Sequence, residues 1–346
     1  MILKINIKRL TFSETRGYIL GLGLDEYRYR QILKWIYQKD LSDISEMTDI
    51  SKRDRGVLES FFIISRMDSI KRQRSYDGVE KFLFRLEDNN LIESVLIPDK
   101  DRRTLCLSTQ VGCGLGCKFC LTGKSGLKRN LYPFEIIEQI LSVQRTIKID
   151  GGMPITNIVM MGMGEPLANF DNIVEAIKRI TDSIGLGISP RRITLSTAGL
   201  IPQMLRLGEK LKEINIAVSL NAATDDTRDY LMPINMRYPL SALIDTCRRY
   251  PLPRRKRITF EYVMIKGIND RSDDALNLVR LVRGIRCKIN LIPFNEFKGS
   301  DFKRPDEKDI LRFQEILRDA DITAFIRKSK GRDIRGACGQ LSPSPI

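Results

Sequence analysis

The chain has 346 residues, of which 42% are hydrophobic and 29% charged, a composition typical of a soluble globular protein. It has no apolar run of about 18 residues and no apolar signal core near its start, so we expect no membrane partner. The formal net charge of +15 favours binding to a polyanion. Seven cysteines, an odd number, favour a reducing, cytoplasmic location without a disulfide framework.

The first part of the chain is predicted to be helical. Three short helices are expected, one capped by Ser13, one over 24–39 and one over 49–62. Two alternating segments, 81–86 and 92–98, predict strands joined by a turn at 88–90. We therefore expect a small helical accessory domain at 1–66 and a β-hairpin-like connecting segment at 67–100.

From residue 103 onward, β-branched apolar runs alternate with helical patterns. Strands are predicted at 103–108, 156–161, 192–196, 214–220, 258–264, 288–292 and 322–326. Helices are predicted at 132–147, 171–184, 200–212, 239–250, 272–284 and 306–319. Repeated β–α units imply parallel strands with right-handed crossovers. The predicted fold class is therefore α/β, a partial (β/α)6 TIM-like barrel over residues 101–346.

Polar or glycine-containing segments follow the predicted strands at their carboxyl ends. After the first strand comes a cysteine-rich loop, and after the next ones come 162–166, 196–199, 219–221, 266–270 and 293–295. In β/α barrels the active site is built from the loops at this end. We therefore expect these segments to converge on one site.

The cysteine-rich loop contains Cys113, Cys117 and Cys120 in a C-x₃-C-x₂-C spacing. Three thiolates leave one iron of a four-iron cluster without a protein ligand, so that iron can bind a small molecule. Glycines at 112, 114 and 116 allow the backbone to bend tightly around such a cluster. Zinc with Cys106 as a fourth ligand, or unligated thiols, are the alternatives. The chain has no histidine, so a Cys/His zinc site is excluded.

The cysteine loop and Gly164-Glu165 after the second strand resemble the radical S-adenosylmethionine superfamily. Further motifs resemble its RlmN/Cfr-type RNA methyltransferases, and among these the adenine carbon-2 family RlmN. The motifs are Cys106-Leu-Ser-Thr-Gln-Val-Gly-Cys113, Met161-Gly-Met-Gly-Glu-Pro-Leu167, Leu195-Ser-Thr-Ala-Gly199, Met232-Pro-Ile-Asn235 and Ala337-Cys-Gly-Gln-Leu341. The resemblance runs from about residue 93 to residue 341, and the N-terminal helices fit the family's accessory domain more loosely.

This resemblance implies methylation of carbon 2 of an adenosine in 23S rRNA, at the peptidyl transferase centre, and in tRNA, next to the anticodon. Carbon 2 lies between two ring nitrogens and is too electron-poor to act as an ordinary nucleophile. The family therefore uses a [4Fe–4S] cluster and S-adenosylmethionine to make a 5′-deoxyadenosyl radical. The resemblance also implies an electron donor such as flavodoxin, and we expect a monomer.

The resemblance implies a role for individual residues. Cys113, Cys117 and Cys120 would hold the cluster. Cys338 would take up a methyl group as S-methylcysteine, and that group would add to the base after losing a hydrogen atom. Cys106 would release the product through a transient disulfide with Cys338, and Glu93 would be the general base. Positions implied to contact S-adenosylmethionine are Gly164, Glu165, Ser196, Ser219, Leu220, Asn221 and Asn295.

Some residues depart from the family pattern or have simpler interpretations. Asn221 stands where many relatives carry histidine, which a backbone contact would tolerate, and Arg335-Gly336 is an uncommon version of the segment before Cys338. Without the resemblance, Cys106 is interpreted as a small core residue and Glu93 as a solvent-facing strand residue. Pro166 favours carbon-2 chemistry, but carbon-8 methylation of the antibiotic-resistance type stays open.

Other functions also stay open at this stage. One is a radical enzyme of another class, such as a methylthiotransferase or a glycyl-radical activase, and another is a zinc-dependent RNA-binding protein without catalysis. Two basic clusters favour RNA as a partner, namely Arg248, Arg249, Arg254, Arg255, Lys256 and Arg257, and then Arg327, Lys328, Lys330, Arg332 and Arg335. At the barrel mouth they would neutralise phosphates and make binding salt-dependent. A solvated surface loop is the alternative for 254–256.

Overall fold

The computed structural model describes residues 4–342. Its N-terminal part contains β1 (Ile5–Asn6), α1 (Phe12–Gly21), α2 (Tyr27–Tyr37), α3 (Lys52–Phe61) and β2 (Phe62–Ile63). The three predicted helices are confirmed, but Ser13 as the first cap is wrong. Thr11 caps α1 instead, because its hydroxyl accepts from the Glu14 N–H while the Glu14 carboxylate accepts from the Thr11 N–H at 2.7 Å.

Three antiparallel strands follow the helical part, namely β3 (Ser69–Arg74), β4 (Glu80–Arg85) and β5 (Leu91–Asp99). The two strands predicted here are confirmed, whereas β3 was not predicted. Its sequence is rich in basic residues and lacks the apolar alternation of a half-buried strand. β5 pairs with the first strand of the barrel, so these strands extend the main sheet.

The rest of the chain alternates strands and helices. The strands are β6 (Arg102–Cys106), β7 (Gln110–Gly112), β8 (Leu127–Asn130), β9 (Asn157–Met160), β10 (Ile193–Thr197), β11 (Asn215–Ser219), β12 (Ile258–Met264), β13 (Cys287–Pro293) and β14 (Ala324–Ile326). The helices are α4 (Leu121–Lys124), α5 (Pro133–Ile149), α6 (Phe170–Thr181), α7 (Ile201–Lys210), α8 (Asp225–Leu231), α9 (Leu240–Arg249), α10 (Ser272–Val282) and α11 (Glu307–Asp319). Short 3₁₀ turns span Ile7–Arg9, Ile44–Glu46, Pro166–Asn169, Pro190–Arg192 and Pro233–Met236.

The main sheet has ten strands in the order β3-β4-β5-β6-β9-β10-β11-β12-β13-β14. From β6 to β14 all neighbouring strands are parallel, and all seven strands and six helices predicted after residue 103 are present. The predicted fold class, a partial α/β barrel with an N-terminal accessory domain, is confirmed. Within residues 4–342, no helix has the length and apolarity to cross a bilayer.

The two faces of the parallel strands differ in polarity. One face packs on the helices, as Tyr262 shows by its ring contact with Phe313 of α11 at a centroid distance of 5.3 Å. The other face, called here the lumen face, carries the alternate residues of the same strands, including Cys106, Ser196, Ser219, Glu261 and Asn290. Buried polar groups need hydrogen-bond partners, so a polar lumen face indicates a binding recess rather than a packed core.

Candidate active site

The cysteine loop is held by the β7–β8 hairpin. Gly112 has a φ of +78° at the end of β7, and a Cβ there would lie 1.9 Å from the Gly126 carbonyl oxygen, so only glycine permits this approach. The Cys113 N–H donates to the same oxygen at 2.8 Å. The Cys120 N–H donates to the Cys117 carbonyl at 3.1 Å, and α4 starts directly after Cys120. The hairpin, the turn and the helix thus fix the loop on both sides.

The three loop thiols lie in a low-polarity environment. Burial raises the pKa of Cys113 to about 11, and it also raises the pKa values of Cys117 and Cys120. The neighbouring loop thiols raise the pKa values of Cys113 and Cys117 further, because thiolates so close together repel each other. A cationic centre would offset this repulsion. The donor set, sulfur alone and three in number, fits an iron–sulfur cluster with one open iron.

The alternative of a zinc ion with Cys106 finds no support in this geometry. Among residues 4–342, no group of three Cys, Asp or Glu side chains is arranged to hold a single metal ion. Cys106 lies on β6, and the thiol whose charge affects it is Cys338 rather than a thiol of the loop. Thiolates on a cubane bind different corner irons, so they do not need the tight convergence of a zinc site.

Glu165 links two neighbouring strand ends. Its carboxylate accepts from the Leu167 N–H at 2.9 Å and from the Ala198 N–H at 2.8 Å, and its own N–H donates to the Gln110 side chain at 2.8 Å. Burial raises the pKa of Glu165 to about 6, although these N–H donors favour its charged form. The preceding Gly164 has a φ of +102°, and a Cβ there would lie 2.6 Å from the Gln110 Cβ. Glu165 therefore fixes the shape of this loop.

Arg228 lies on α8 and is fully buried beneath the next strand end. Its guanidinium donates to the Leu220 carbonyl at 3.0 Å, to the Ala198 carbonyl at 2.7 Å and to the Asn235 side chain at 2.8 Å. Burial lowers the pKa of Arg228 to about 10, and Cys117 is the acidic group that opposes this shift most strongly. A positive charge is thus held close to the cysteine loop by carbonyl oxygens.

The Asn221 side chain is engaged in structural contacts. It has a φ of +60°, its Oδ1 accepts from the Val263 N–H at 2.8 Å, and its carbonyl accepts from Asn269 at 2.7 Å. The side chain is therefore not free to bind a ligand. A contact of the 219–221 segment with a cofactor would use backbone atoms or Ser219, which is half-buried at the end of β11.

The segment that carries Cys338 is bound to two parts of the site, α4 and the loop after β13. The Gly339 carbonyl accepts from the Leu121 N–H at 2.8 Å, directly beyond the cysteine loop. The Cys338 carbonyl accepts from Asn295 at 3.2 Å, and the Leu341 carbonyl accepts from the Thr122 hydroxyl at 2.6 Å. Asn295 Oδ1 is buried without a hydrogen-bond partner among residues 4–342, so an acceptor at this position is available to a ligand.

Cys106 and Cys338 lie near each other as free thiols. Cys106 is buried on β6, whereas Cys338 as a residue has exposed surface although its thiol is surrounded by protein atoms. Burial raises the pKa values of both, and charge on Cys338 contributes to the shift of Cys106. Charge on Cys120 contributes to the shift of Cys338, so Cys338 lies near the cysteine loop as well as near Cys106. Cys106 belongs to the hydrophobic core, as its interpretation as a small core residue expects, but it also faces the lumen with the Cys338 thiol nearby.

Glu93 is buried, so its interpretation as a solvent-facing strand residue is wrong. Its carboxylate pairs with Lys81 at 2.9 Å and accepts from the Ser342 N–H at 3.0 Å. It shares its sheet face with Val95, the register partner of Cys106. Both carboxylate oxygens are therefore engaged, one of them with the segment that carries Cys338.

The two basic clusters lie at opposite ends of the barrel. Residues 251–257 directly precede β12. They contact Arg286, which directly precedes β13 and donates to the Arg254 carbonyl at 2.8 Å. The expectation that this cluster lies at the mouth is wrong, because a loop before a parallel strand lies at the amino end of the sheet. The cluster from Arg327 to Arg335 follows β14 and leads into the Cys338 segment, at the carboxyl end.

Three positions in the site were missed from the sequence. Arg228 lies in a short polar helix that resembles a solvated surface, so no local pattern distinguishes it. Gln110 is hidden in a strand of three residues, too short for periodicity. Asn269 lies in one of the loops that the sequence predicted to form the site. Its role was missed because it depends on hydrogen bonds that form only in the folded chain, namely from the Ile265 N–H at 2.7 Å and to the Asn221 carbonyl. The one sequence feature that could have identified any of them is a polar residue in a loop directly after a predicted strand, which applies to Asn269.

Comparisons with known proteins agree with this geometry. Residues 107–279 match the family model of the radical SAM superfamily, and residues 5–64 match that of the ribosomal RNA large subunit methyltransferase N-terminal domain. The chain is 50% identical over 338 residues to the dual-specificity RNA methyltransferase RlmN of Geotalea uraniireducens, covering 98% of this chain and 96% of that protein. It is 51% identical to the RlmN of Geobacter sulfurreducens, covering 97% and 92%. The crystal structure of a radical SAM methyltransferase from Sphaerobacter thermophilus superposes with a TM-score of 0.91 at 41% identity, covering 97% of this chain and 98% of that one.

Proposed function

This chain belongs to the RlmN family of radical S-adenosylmethionine RNA methyltransferases, and from that membership we propose that it methylates carbon 2 of an adenosine in 23S rRNA and in tRNA. The family uses a [4Fe–4S] cluster and S-adenosylmethionine, so a zinc-dependent binding protein and an unrelated radical activase are no longer needed as alternatives. The curated relatives are named dual-specificity RNA methyltransferases, which supports both RNA classes.

One observation carries the methyl-carrier part of the proposal, namely that Cys338 lies near both the cysteine loop and Cys106, whereas the choice of carbon 2 rests on family membership. A hydrogen bond from Leu121 to Gly339 at 2.8 Å holds the segment next to the loop, and charge coupling links the Cys338 thiol with both Cys120 and Cys106. A methyl carrier must reach the cofactor to be loaded and the base to deliver, and the exposed surface of Cys338 supports this role. A resolving thiol must be able to approach the carrier, and Cys106 is supported by its position on the lumen face near Cys338.

Each cysteine of the site has a separate proposed role in the reaction. The bound cluster and S-adenosylmethionine would supply the methyl group and the hydrogen-abstracting radical. Cys113, Cys117 and Cys120 would hold the cluster, and Cys338 would carry the methyl group as S-methylcysteine. Cys106, as the thiolate, would then attack the Cys338 sulfur after the base has gained its carbon and lost the hydrogen at the attacked position, so that a disulfide forms and the carbon–sulfur bond breaks. The electron pair of that bond would pass to the product carbon, which takes up a proton to become the methyl group, and a thiol reductant would restore the two cysteines.

Glu93 has the position expected of a residue that assists this release. Its carboxylate holds Lys81 and the Ser342 N–H, so a role as general base would require one of these partners to move. We retain Glu93 as the proposed base because it lies on the face of Cys106, two residues from the register partner of that cysteine. Its second effect is to hold the Cys338 segment, which makes it a positioning residue as well.

S-adenosylmethionine would bind across the carboxyl ends of the strands. Gly164 and Glu165 form one wall through their backbone, since the Glu165 carboxylate is already bonded to two N–H groups. Ser196 and the backbone of Ser219, Leu220 and Asn221 would continue the site along the next strands, and Asn295 offers a buried oxygen without a partner in the described part of the chain. The amino group of the cofactor is a suitable donor for such an oxygen.

Further parts of the proposal concern partners and organisation. We propose that a flavodoxin-type protein reduces the cluster, that the enzyme acts as a cytoplasmic monomer, and that its functional units are residues 1–66, 67–100 and 101–346. The N-terminal family model covers residues 5–64, which is consistent with the first of these boundaries. The charge of +15 is consistent with an RNA substrate.

The decisive experiment is an anaerobic methylation assay with isotopically labelled S-adenosylmethionine. The cluster-loaded protein is incubated with a reductant and with a 23S rRNA fragment or tRNA, and the nucleosides are analysed by mass spectrometry. We expect labelled 2-methyladenosine from both RNAs and, before RNA is added, a labelled methyl group on the peptide that contains Cys338. Labelled 8-methyladenosine would contradict the regiochemistry, and a methyl-free Cys338 peptide would contradict the carrier role.

A further inference from the structure

Glu261 is a buried carboxylate for which the reaction described above has no use. It lies in the middle of β12 on the lumen face and is only 8% exposed. Its register partners are Ser219 on β11 and Asn290 on β13, so its side chain lies at the level of a proposed cofactor contact. An acidic residue here is costly to bury, which calls for a specific reason.

The bonding of Glu261 leaves one acceptor position open. One carboxylate oxygen, Oε1, accepts from Asn290 Nδ2 at 2.8 Å. No donor among residues 4–342 bonds to the other oxygen, and no lysine or arginine of that part of the chain lies within ion-pair distance of the carboxylate. Arg327 and Lys288 act on it only through longer-range charge, so a direct salt bridge does not account for it. Asn290 thus orients the carboxylate on the lumen face, and among residues 4–342 Oε2 has no bonded donor.

The surroundings of Glu261 match a site for a nucleobase. Its charge contributes to the raised pKa of the Cys338 thiol, so the carboxylate lies near the proposed methyl carrier. Phe325, the register partner of Asn290, is 49% exposed, and its neighbours Ala324 and Ile326 pack on the other face of the strand. An aromatic ring at this edge offers a surface on which a base taken out of its stack can lie.

We propose that Glu261, oriented by Asn290, selects adenine by accepting a hydrogen bond from its 6-amino group. This inference rests on the proposed function, because it assigns the recognition step for the base that Cys338 methylates. The 6-amino group is a donor, whereas guanine and hypoxanthine carry an acceptor oxygen at the same position. A carboxylate would therefore attract adenine and repel the 6-oxo bases, which makes Glu261 a specificity-determining residue.

The geometry predicts what an amide at this position would do. In Glu261→Gln, the amide oxygen would stay with Asn290 Nδ2, and its NH₂ group would point to the base. The variant would then present a donor where the wild type presents an acceptor. A site that loses a hydrogen bond to a charged group typically loses about 10- to 100-fold in affinity or rate.

The test compares two RNAs, one with adenosine and one with inosine at the target position. The ratio of kcat/KM values for adenosine and inosine RNA is measured for the wild type and for Glu261→Gln. Intrinsic reactivity of the two bases cancels when these ratios are compared. We expect the ratio to fall roughly 10- to 100-fold in Glu261→Gln, in line with the loss of one charged hydrogen bond, and to fall less in Asn290→Ala. Asp306→Asn makes the same chemical change in an exposed ion pair with Lys266 and should leave the ratio unchanged.

An unchanged ratio in Glu261→Gln would overturn the inference. If the variant methylates neither RNA, the same ratio is measured as equilibrium binding of the two RNAs to the cluster-loaded protein, and equal ratios there would overturn it as well. Failure of the proposed function gives a different result, since the wild type would then not methylate adenosine RNA at all. Iron content and thermal unfolding of each variant confirm that the fold and the cluster are retained.

Discussion

The two ends of the barrel differ in how their polar groups are used. At the carboxyl end, buried side chains link one strand end to the next, as Glu165 does with Ala198 and Arg228 does with Leu220. At the amino end, the loop before β12 is held by long basic side chains that donate to exposed backbone carbonyls, such as Arg286 to Arg254. Burying charged groups costs free energy, and the two groups at the carboxyl end offset that cost by bonding to the backbone of neighbouring strand ends. Elsewhere a buried charge pairs with another side chain, as Lys8 does with Glu138 at 2.5 Å, so the bonding of buried charges to strand ends distinguishes the carboxyl end of the barrel.

The same residue types have different environments at the two ends. Cys338 has exposed surface and lies near another thiol, whereas Cys287 starts β13 at the amino end and packs against the helix-covered core. Basic residues follow β14 at one end and precede β12 at the other. Pairs of matched variants can therefore separate the effect of a residue type from the effect of its position.

The largest expected difference between the ends concerns cysteine. Cys338→Ala should abolish RNA methylation, with a loss of at least about 1,000-fold, because the variant has no sulfur to carry the methyl group. Cleavage of S-adenosylmethionine to 5′-deoxyadenosine should continue, since the cluster ligands are unchanged. Both products are measured by mass spectrometry in the same reaction.

Cys287→Ala is the matched control for this prediction. It removes a thiol at the amino end, where the side chain packs partly on the core, so methylation should stay within about twofold of the wild type while stability falls slightly. Retained methylation in Cys338→Ala would disprove the two-cysteine scheme. A comparable loss in Cys287→Ala would show that the assay responds to any damage to the barrel.

Much of the fold was predictable because periodicity reports burial directly. The strands after residue 103 are buried on the helix side and alternate as expected, so their order and helices were predicted closely. The first helix cap was misplaced by two residues, because Thr11 and Glu14 satisfy each other's backbone groups and Ser13 cannot. The hairpin of β7 and β8 was missed, since its strands have three and four residues.

The candidate site was predictable where spacing alone defines the chemistry. The spacing of three cysteines in a short loop predicts a role for them, whereas nothing in the local sequence predicts the role of Arg228, because its partners include carbonyl groups at the ends of two different strands. The basic cluster at 254–256 was assigned to the wrong end because charge carries no information about which end of a strand it flanks. The order of elements along the chain does show the end: a loop that directly precedes β12 lies at the amino end of that strand.

A smaller effect is expected on the pH dependence of stability, through Glu165, which is buried at the carboxyl end and has a raised pKa. Its pKa of about 6 in the folded state exceeds the ordinary value of 4.5. The protonated carboxyl group therefore stabilises the folded state by its full amount below pH 4.5, and this stabilisation is lost as the pH rises through 6. The shift corresponds to about 2 kcal/mol. The unfolding free energy of the wild type relative to Glu165→Gln should therefore fall by about 2 kcal/mol between pH 4 and pH 7.5.

Denaturant unfolding at several pH values measures this difference. Glu209→Gln is the control, since Glu209 is exposed near the end of α7, on the amino side of the barrel, and its difference curve should stay flat within about 0.5 kcal/mol. A difference curve for Glu165 that is flat or rises with pH would show that burial does not control this carboxyl group. The hydrogen bonds from Leu167 and Ala198 would then dominate its titration.

The smallest predicted effect compares the two basic clusters in RNA binding. Lys328 and Arg332 are exposed on the segment between β14 and Cys338, so phosphates of an RNA at the mouth lie within their reach. Lys328→Ala with Arg332→Ala should weaken tRNA binding about tenfold and reduce the salt slope of log Kd by about 1.5, as expected for two lost phosphate contacts. Arg254→Ala with Arg255→Ala removes the same charge at the amino end and should change affinity less than about twofold. Titrations at several KCl concentrations measure both slopes, and an equal reduction in both variants would mean that the RNA surrounds the barrel instead of contacting only its mouth.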